Sequence, residues 1–372
     1  MAIIKQSEED FIVKELYGDF KIERIKSEYA YFILMKKGLT TTEAIERISS
    51  KLRIDAKDIG FAGNKDKKAL TFQLISIPTF FIKDETLSEI DENVSLEFFG
   101  YSKEPIKIGD LKGNLFEIIV RDCKVKLPSK VENFLLPNYF DDQRFSLNNI
   151  VIGESIVKND FRYAITNILK YSFPDAEEKF GFWRDFDINK ADHISRVILE
   201  HLFQYPKDLV GAIRKIPVHI SMMYIHAYQS FLFNEILNIF SDTYFKKKYK
   251  IKIMNREYWC GDELIKYLDR VYIPLIGFAT EIEKYSLYDI GSIVLELMAK
   301  HEITFRDFVI HSYPLLSTTG TERKAYLFVD IEIEKVGKSD YKLMFSLPSG
   351  SYGTILVKSL LAKMGEDVII ES

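Results

Sequence analysis

Cysteine is almost missing from this chain: 372 residues carry two, Cys123 and Cys260, outside any CxxC spacing. That excludes a disulfide framework or a cysteine-built zinc site and predicts two reduced, buried thiols. Histidine is scarce as well. The six histidines show no ligand spacing, and His219 and His226 flank an apolar helical pattern, so no metal centre is expected. No apolar run reaches the roughly 20 residues needed to cross a bilayer. The opening MAIIKQSEEDF lacks the apolar core and cleavage site of a secretory signal. A cytoplasmic protein without a membrane partner is expected. An excess of positive charge is also lacking: the formal net charge is −4, whereas nucleic-acid binders are usually basic. There is no internal repeat and no low-complexity linker.

What is present is apolar and aromatic. Hydrophobic residues make up 47% and aromatics 14% of the chain, enough for a large core and for two domains. Charge is local rather than global. Lysines cluster at 65–68 and 246–252, and acids at 7–10 and 174–178. EDFIVKELYG (9–18), KSEYAYFILMKK (26–37), LTFQLISI (70–77) and NLFEIIVRD (114–122) read as strands. In the third of these, Leu70, Phe72 and Leu74 share one face, and Thr71 and Gln73 the other. Thr40 and Glu43 have capping-box spacing ahead of Ala44, Ile45, Ile48 and Leu52, which predicts a helix. From about 150 to 314 the pattern is mostly helical. Alternation returns at 325–336 and 341–347 as a hairpin, followed by a helix from about Thr354 that Gly365 ends. The expected fold is therefore α+β. A discontinuous domain with a mixed, largely antiparallel sheet (1–150 and 315–372) is interrupted by a helical insertion (151–314).

Four stretches carry possible chemistry. In GFAGNKDKKALTFQ, one carboxylate, Asp66, stands among Lys65, Lys67 and Lys68 at the mouth of a strand. Nearby ammonium groups favour an ionised carboxylate, which can act as nucleophile, base or metal ligand. Gly63 and the Thr71 and Gln73 face suit a close backbone approach to a ligand. A plain charged surface loop is the bland alternative. PNYFDDQRFS (137–146) reads as a loop offering Asn138, Phe140, Gln143 and Arg144, the stacking face and polar edges an unstacked base needs. Its alternative is a turn whose aromatics plug the core. IHAYQSFLFNEIL reads as a core helix with Gln229 and Asn234 on a more polar side. FSLPSGSYGTILVK ends a strand in a Gly-rich turn that opens a helix. Such a start favours an anion, and Tyr352 in the turn is a lid or a stacking surface.

Taken together and in order, KQSEEDFIVKE, FAGNKDKKALTFQ, PNYFDDQRFS, AYQSFLFN and FSLPSGSYGT resemble the TruD family of tRNA pseudouridine synthases, from residue 5 to about 358. The resemblance implies a pseudouridine-synthase-like catalytic domain interrupted by the insertion called the TRUD domain. It puts the catalytic aspartate at Asp66. The uridine pocket falls on Asn138 and Phe140, with Lys5, Phe11 and Tyr352 also binding substrate, and Lys65, Gln73 and Arg144 as supporting residues. The chain departs from the family pattern at Asp141 and Asp142, at Ser146 and at Gly353.

The implied reaction is an isomerisation that needs no cofactor and no metal. The base is flipped out at a cost of a few kcal/mol, the C1′–N1 bond breaks, and the uracil is rejoined through C5. The expected partner is tRNA, with uridine 13 as the family's usual target. A monomer is the simplest expectation for the oligomeric state. Two other classes stay open on the residues alone: a nuclease gathering Mg²⁺ on Asp66, Asp141 and Asp142 with Lys68 beside it, and an RNA-binding protein without chemistry.

Overall fold

The structure, a computed structural model, describes residues 1–82, 89–146 and 148–371. The chain begins with β1 (Ala2–Ile4), β2 (Phe11–Tyr17), β3 (Tyr29–Lys37), α1 (Thr41–Leu52), β4 (Gly60–Phe61) and β5 (Leu70–Pro78). It continues through β6 (Glu89–Asp91), β7 (Val94–Ser102), β8 (Leu111–Val120) and β9 (Lys130–Pro137). Helices follow: α2 (Asn149–Val157), α3 (Phe161–Leu169), α4 (His193–Gln204), α5 (Leu209–Arg214) and the long α6 (Val218–Tyr244). Then come β10 (Lys248–Ile253), β11 (Arg256–Gly261), β12 (Tyr272–Leu275), α7 (Ile290–Lys300) and β13 (Thr321–Lys324). The chain closes with β14 (Tyr326–Lys335), β15 (Tyr341–Pro348), α8 (Gly353–Lys363) and β16 (Val368–Ile370).

Two compact units result, one made of residues 1–136 and 328–372, the other of 137–327. The chain crosses between them at the end of β9 and early in β14, whereas the sequence pattern sets the crossings near 150 and 314. In the first unit the strands order as β6-β7-β3-β5-β2-β8-β15-β14-β9, with β4 beside β5. The strand at 70–78 and the hairpin at 326–348 therefore share one sheet. The fold is α+β: β2 and β5 run parallel, while β2 with β8, β3 with β5 and with β7, β8 with β15, and β14 with β15 run antiparallel.

Register decides which side chains share a face. Val13 pairs with Thr71 and with Phe116, Lys36 pairs with Thr71, and Phe116 pairs with Phe345. Side chains alternate along strands, so Lys36, Thr71, Gln73, Val13, Glu15, Phe116 and Phe345 line one face. Helix α1 covers part of that face: its Ala44, Ile45 and Ile48 form one core with Phe32, Leu34, Ile75 and Ile77. The capping box at its start is reciprocal. Thr40 N–H donates to Glu43 Oε2 at 2.7 Å and Glu43 N–H to Thr40 Oγ1 at 3.1 Å. Helix α8 begins on the same face, at Gly353, where a Cβ would lie 2.8 Å from the Phe116 ring. That ring is held between Phe345, stacked at 5.3 Å, and Phe11, edge-on at 6.1 Å. The family departure at Gly353 thus has a local steric reason.

The second unit is built on α6, whose Tyr228, Phe233 and Phe240 are fully buried. Helix α2 approaches it closely at Gly153, where a Cβ would fall 2.0 Å from the Tyr224 carbonyl oxygen. The insertion is not purely helical. Strands β10 and β11 form a hairpin through Met254 and Asn255, both at positive φ, and β12 pairs with β13. Lys248 and Lys250, part of the lysine cluster, lie on β10 with their ammonium groups over the Trp259 ring at 4.7 and 4.4 Å. They also pair with Asp242 and Glu257. Neither cysteine is in a disulfide, and both are buried. Among the described residues no helix is long and apolar enough to cross a membrane.

Candidate active site

Asp66 lies on the loop between β4 and β5, and that loop is fastened from four directions. From the start of α1, Thr41 Oγ1 accepts the Lys65 N–H at 3.0 Å and donates to Gln73 Oε1 at 2.9 Å. From β5, Gln73 Nε2 donates to the Gly63 carbonyl at 3.1 Å. From β3, the buried Lys36 ammonium donates to the carbonyls of Leu39 and Asp66 at 2.7 and 2.8 Å. From β2, Glu15 takes the Lys65 ammonium at 2.5 Å and the Leu74 N–H at 3.3 Å. On the polar face of β5 foreseen in the sequence, Gln73 is the buried fastening, and Thr71 beside it is fully covered as well.

Lys65 and Lys67 do not build the basic surroundings of the Asp66 carboxylate. Lys65 turns into the interior toward Glu15. Lys67 reaches Glu43 at 2.9 Å, and Glu43 is held down to about 2, first by the Thr40 N–H and then by Lys67. The ammonium that meets the carboxylate is Lys5, with Nζ 3.7 Å from Asp66 Oδ2 and both side chains largely covered. The same ammonium stands 4.0 Å from the centroid of the Phe11 ring. Lys5 has φ +61°, a left-handed backbone. Such strain costs of order 1–3 kcal/mol, and it clusters where geometry matters more than local comfort. The segment between Lys5 and Phe11 is fixed by Asp10, 1% exposed, which takes Arg121 Nε and a terminal nitrogen at 2.8 and 2.5 Å. Phe11 is itself buried against Phe116, beside the start of α8. Tyr352 is half-buried as the residue that opens that helix.

Burial pushes the Lys36 ammonium down to about 8 from 10.5, with the Asp66 charge pulling the other way. The sign follows from linkage. Between about 8 and 10.5 the unfolded chain holds this proton and the folded protein does not, so this group's contribution to stability rises with pH across that window. Below it, the folded state carries a charge that burial disfavours. Lys36→Met should remove this contribution. In denaturant titrations across that window, the midpoint of the wild type should gain on the variant's as pH rises.

In the second unit, PNYFDDQRFS starts where β9 ends and then forms a short 3₁₀ turn at Asp142–Phe145. Asn138 N–H donates to the Ala325 carbonyl at 2.9 Å, and its Nδ2 to the Lys324 carbonyl at 3.0 Å. Arg323 donates to the Asn138 carbonyl at 3.0 Å and to Asn138 Oδ1 at 2.5 Å. Phe140 is 7% exposed. Its N–H donates to Asn234 Oδ1 at 2.9 Å and its carbonyl accepts Asn234 Nδ2 at 2.8 Å. The Arg323 guanidinium stands 4.4 Å from its ring centroid, and Arg144 stands 5.7 Å away with Nε on Ser230 Oγ. Tyr139 is fully buried, its hydroxyl donating to the Trp259 carbonyl at 2.6 Å. The family departures build turns here. Asp141 caps the 3₁₀ turn by taking the Asp142 N–H, Asp142 takes the Met254 N–H, and Ser146 Oγ takes Asn149 Nδ2 at the start of α2.

The first unit therefore brings together Asp66, Lys5, Phe11, Lys65 and Gln73, and Tyr352 opens the helix whose Gly353 lies against Phe116. The second gathers Asn138, Phe140 and Arg144. Four residues that hold these groups were not read from the sequence as site residues: Glu15, Lys36, Arg323 and Asn234. Asn234 did leave a signal. An amide inside the apolar run FLFN must find a partner once buried, and it is fully buried. Among the described residues there is no group of three or more His, Cys, Asp or Glu able to hold a metal ion.

Comparison with known proteins follows the same lines. The family model described as tRNA pseudouridine synthase D (TruD) matches residues 1–252 and 262–360. A protein named "Probable tRNA pseudouridine synthase D" from Nanoarchaeum equitans is 33% identical over 394 residues, covering 96% of this chain and 98% of that protein. The tRNA pseudouridine synthase D of Aquifex aeolicus is 30% identical over 399 residues, covering 96% and 97%. Among solved structures, a protein from Methanosarcina mazei assigned as tRNA pseudouridine synthase D superposes with a TM-score of 0.65 at 25% identity, covering 98% of this chain and 94% of that one.

Proposed function

This chain belongs to the tRNA pseudouridine synthase D family, a family of isomerases, and we propose from that premise that it converts a uridine of tRNA, uridine 13, into pseudouridine. The observation that carries the reading is Asp66. It is a carboxylate on a loop fastened by buried groups, with the Lys5 ammonium at 3.7 Å. In the proposed reaction the target uridine leaves the RNA stack, and binding contacts recover part of that cost. Asp66 acts at the glycosidic centre, either as a nucleophile toward the ribose or base, or as a base at C2′. The C1′–N1 bond breaks, the uracil turns, and C5 bonds to C1′. The C5 hydrogen goes to solvent and N1 takes a proton, so no atom is gained or lost. No cofactor or metal takes part. Lys5 keeps the carboxylate in place, and the Phe11 ring holds Lys5. A tRNA substrate implies the cytoplasm as the working compartment.

Asn138 is proposed to read the uracil edge. Tyr352 is proposed as a stacking surface. Base–aromatic stacking is worth about 1–3 kcal/mol, so Tyr352→Ala should slow single-turnover conversion roughly ten- to a hundred-fold, with the melting temperature almost unchanged. Phe140 is proposed to stand beside the uridine. With its ring covered by Arg323, its alanine variant should lose stability as well as rate.

The test of the whole reading is a pair of tRNA transcripts, one with uridine and one with cytidine at position 13. Incubation with protein and EDTA should yield pseudouridine in the first alone, with chain length unchanged. Pseudouridine in both transcripts would overturn the position. Shortened RNA that EDTA abolishes would favour a nuclease, and no change in either transcript an RNA-binding protein.

A further inference from the structure

We propose that Arg323 is a positioning residue for this reaction: it fixes the Asn138–Phe140 segment in the conformation that receives the uridine. The inference rests on the pseudouridine synthase reading and adds a residue to it. Arg323 comes from β13, where it sits opposite Ile273 of β12, so its backbone belongs to a regular strand pair rather than a free loop. From there one guanidinium makes three contacts with the segment. Its Nε donates to the Asn138 carbonyl at 3.0 Å, a terminal nitrogen donates to Asn138 Oδ1 at 2.5 Å, and its carbon lies 4.4 Å from the Phe140 ring centroid. The Oδ1 contact sets the amide. With oxygen toward the guanidinium, nitrogen faces the Lys324 carbonyl at 3.0 Å. A flipped amide would set NH₂ against the guanidinium and oxygen against that carbonyl. Asn234 secures the same segment from α6 through the Phe140 backbone, while Arg323 holds the Asn138 amide oxygen and faces the Phe140 ring, which Arg144 and Phe233 also flank. A planar, forked cation suits this task. A lysine ammonium carries the charge without the two-bond geometry or the flat face.

The experiment compares the wild type with Arg323→Lys and Arg323→Ala on tRNA, measuring single-turnover rate at saturating tRNA, tRNA Kd, the salt dependence of Kd, and melting. A misplaced reacting group costs on the order of a hundredfold in rate. Both variants should show a loss of that order per folded molecule, Arg323→Lys the smaller, with Kd and its salt slope close to wild type. Three results would overturn the proposal. One is a normal rate per folded molecule in both variants, whatever their melting temperatures. Another is full activity in Arg323→Lys, which would show that charge alone suffices. The last is a salt slope reduced by about one, which would make Arg323 a phosphate contact instead. If the wild type forms no pseudouridine, the underlying reading fails rather than this one.

Discussion

Asp66→Asn is expected to abolish pseudouridine formation while leaving tRNA affinity within a few-fold. The substitution keeps the shape of the side chain and removes the charge that the proposed mechanism uses. Its structural cost should be small. The loop is held by the Asp66 carbonyl, the Lys65 N–H and the Gly63 carbonyl, all backbone groups that an amide side chain leaves alone. The Lys5 ammonium would lose its counter-charge but keep the Phe11 ring beneath it. Single-turnover nucleoside analysis and a binding titration on the same preparation check both halves. Retained turnover would remove Asp66 from the chemistry.

The largest expected effect on stability is at Lys65. Its ammonium and the Glu15 carboxylate meet at 2.5 Å with side chains 4% and 0% exposed. Removing one member of a buried ion pair strands the other, at a cost of about 3–5 kcal/mol, whereas neutralising both together is often near neutral. Lys65→Met should therefore destabilise the fold by about that much, and Lys65→Met combined with Glu15→Gln should recover most of it, because glutamine still accepts the Leu74 N–H. Equilibrium urea unfolding of the two variants measures the difference. An additive loss in the double variant would show that the pair contributes more than mutual neutralisation. The same variants bear on catalysis, since Lys65 precedes Asp66 and fixes where the loop enters.

The strand pattern of the ends and the capped helix α1 could be read directly, because alternation and capping-box spacing are local properties. The position of Asp66 at the mouth of β5 was legible for the same reason. Its electrostatic partner was not. Three lysines adjacent in sequence suggested a nest, yet side chains on successive positions of an extended loop diverge, and Lys65 and Lys67 leave in different directions. Lys5, some sixty residues away, arrives through the pairing of β2 with β5, which no local signal encodes; only the family likeness singled it out. The insertion was read as helical although KYKIKI alternates plainly, with Ile251 and Ile253 buried beneath exposed or half-exposed lysines. Arg323 could not be found from spacing at all. Its role depends on β12 and β13 bringing it to a segment nearly two hundred positions earlier in the chain.

The most direct measurement follows tritium at C5 of uridine in a tRNA transcript incubated with the purified wild-type protein and EDTA. Formation of a C5–C1′ bond must expel that hydrogen, so the account expects tritium release in step with the appearance of pseudouridine, one event per tRNA, on RNA of unchanged length. Release without pseudouridine, or intact tritium on RNA that has been cut, would contradict it.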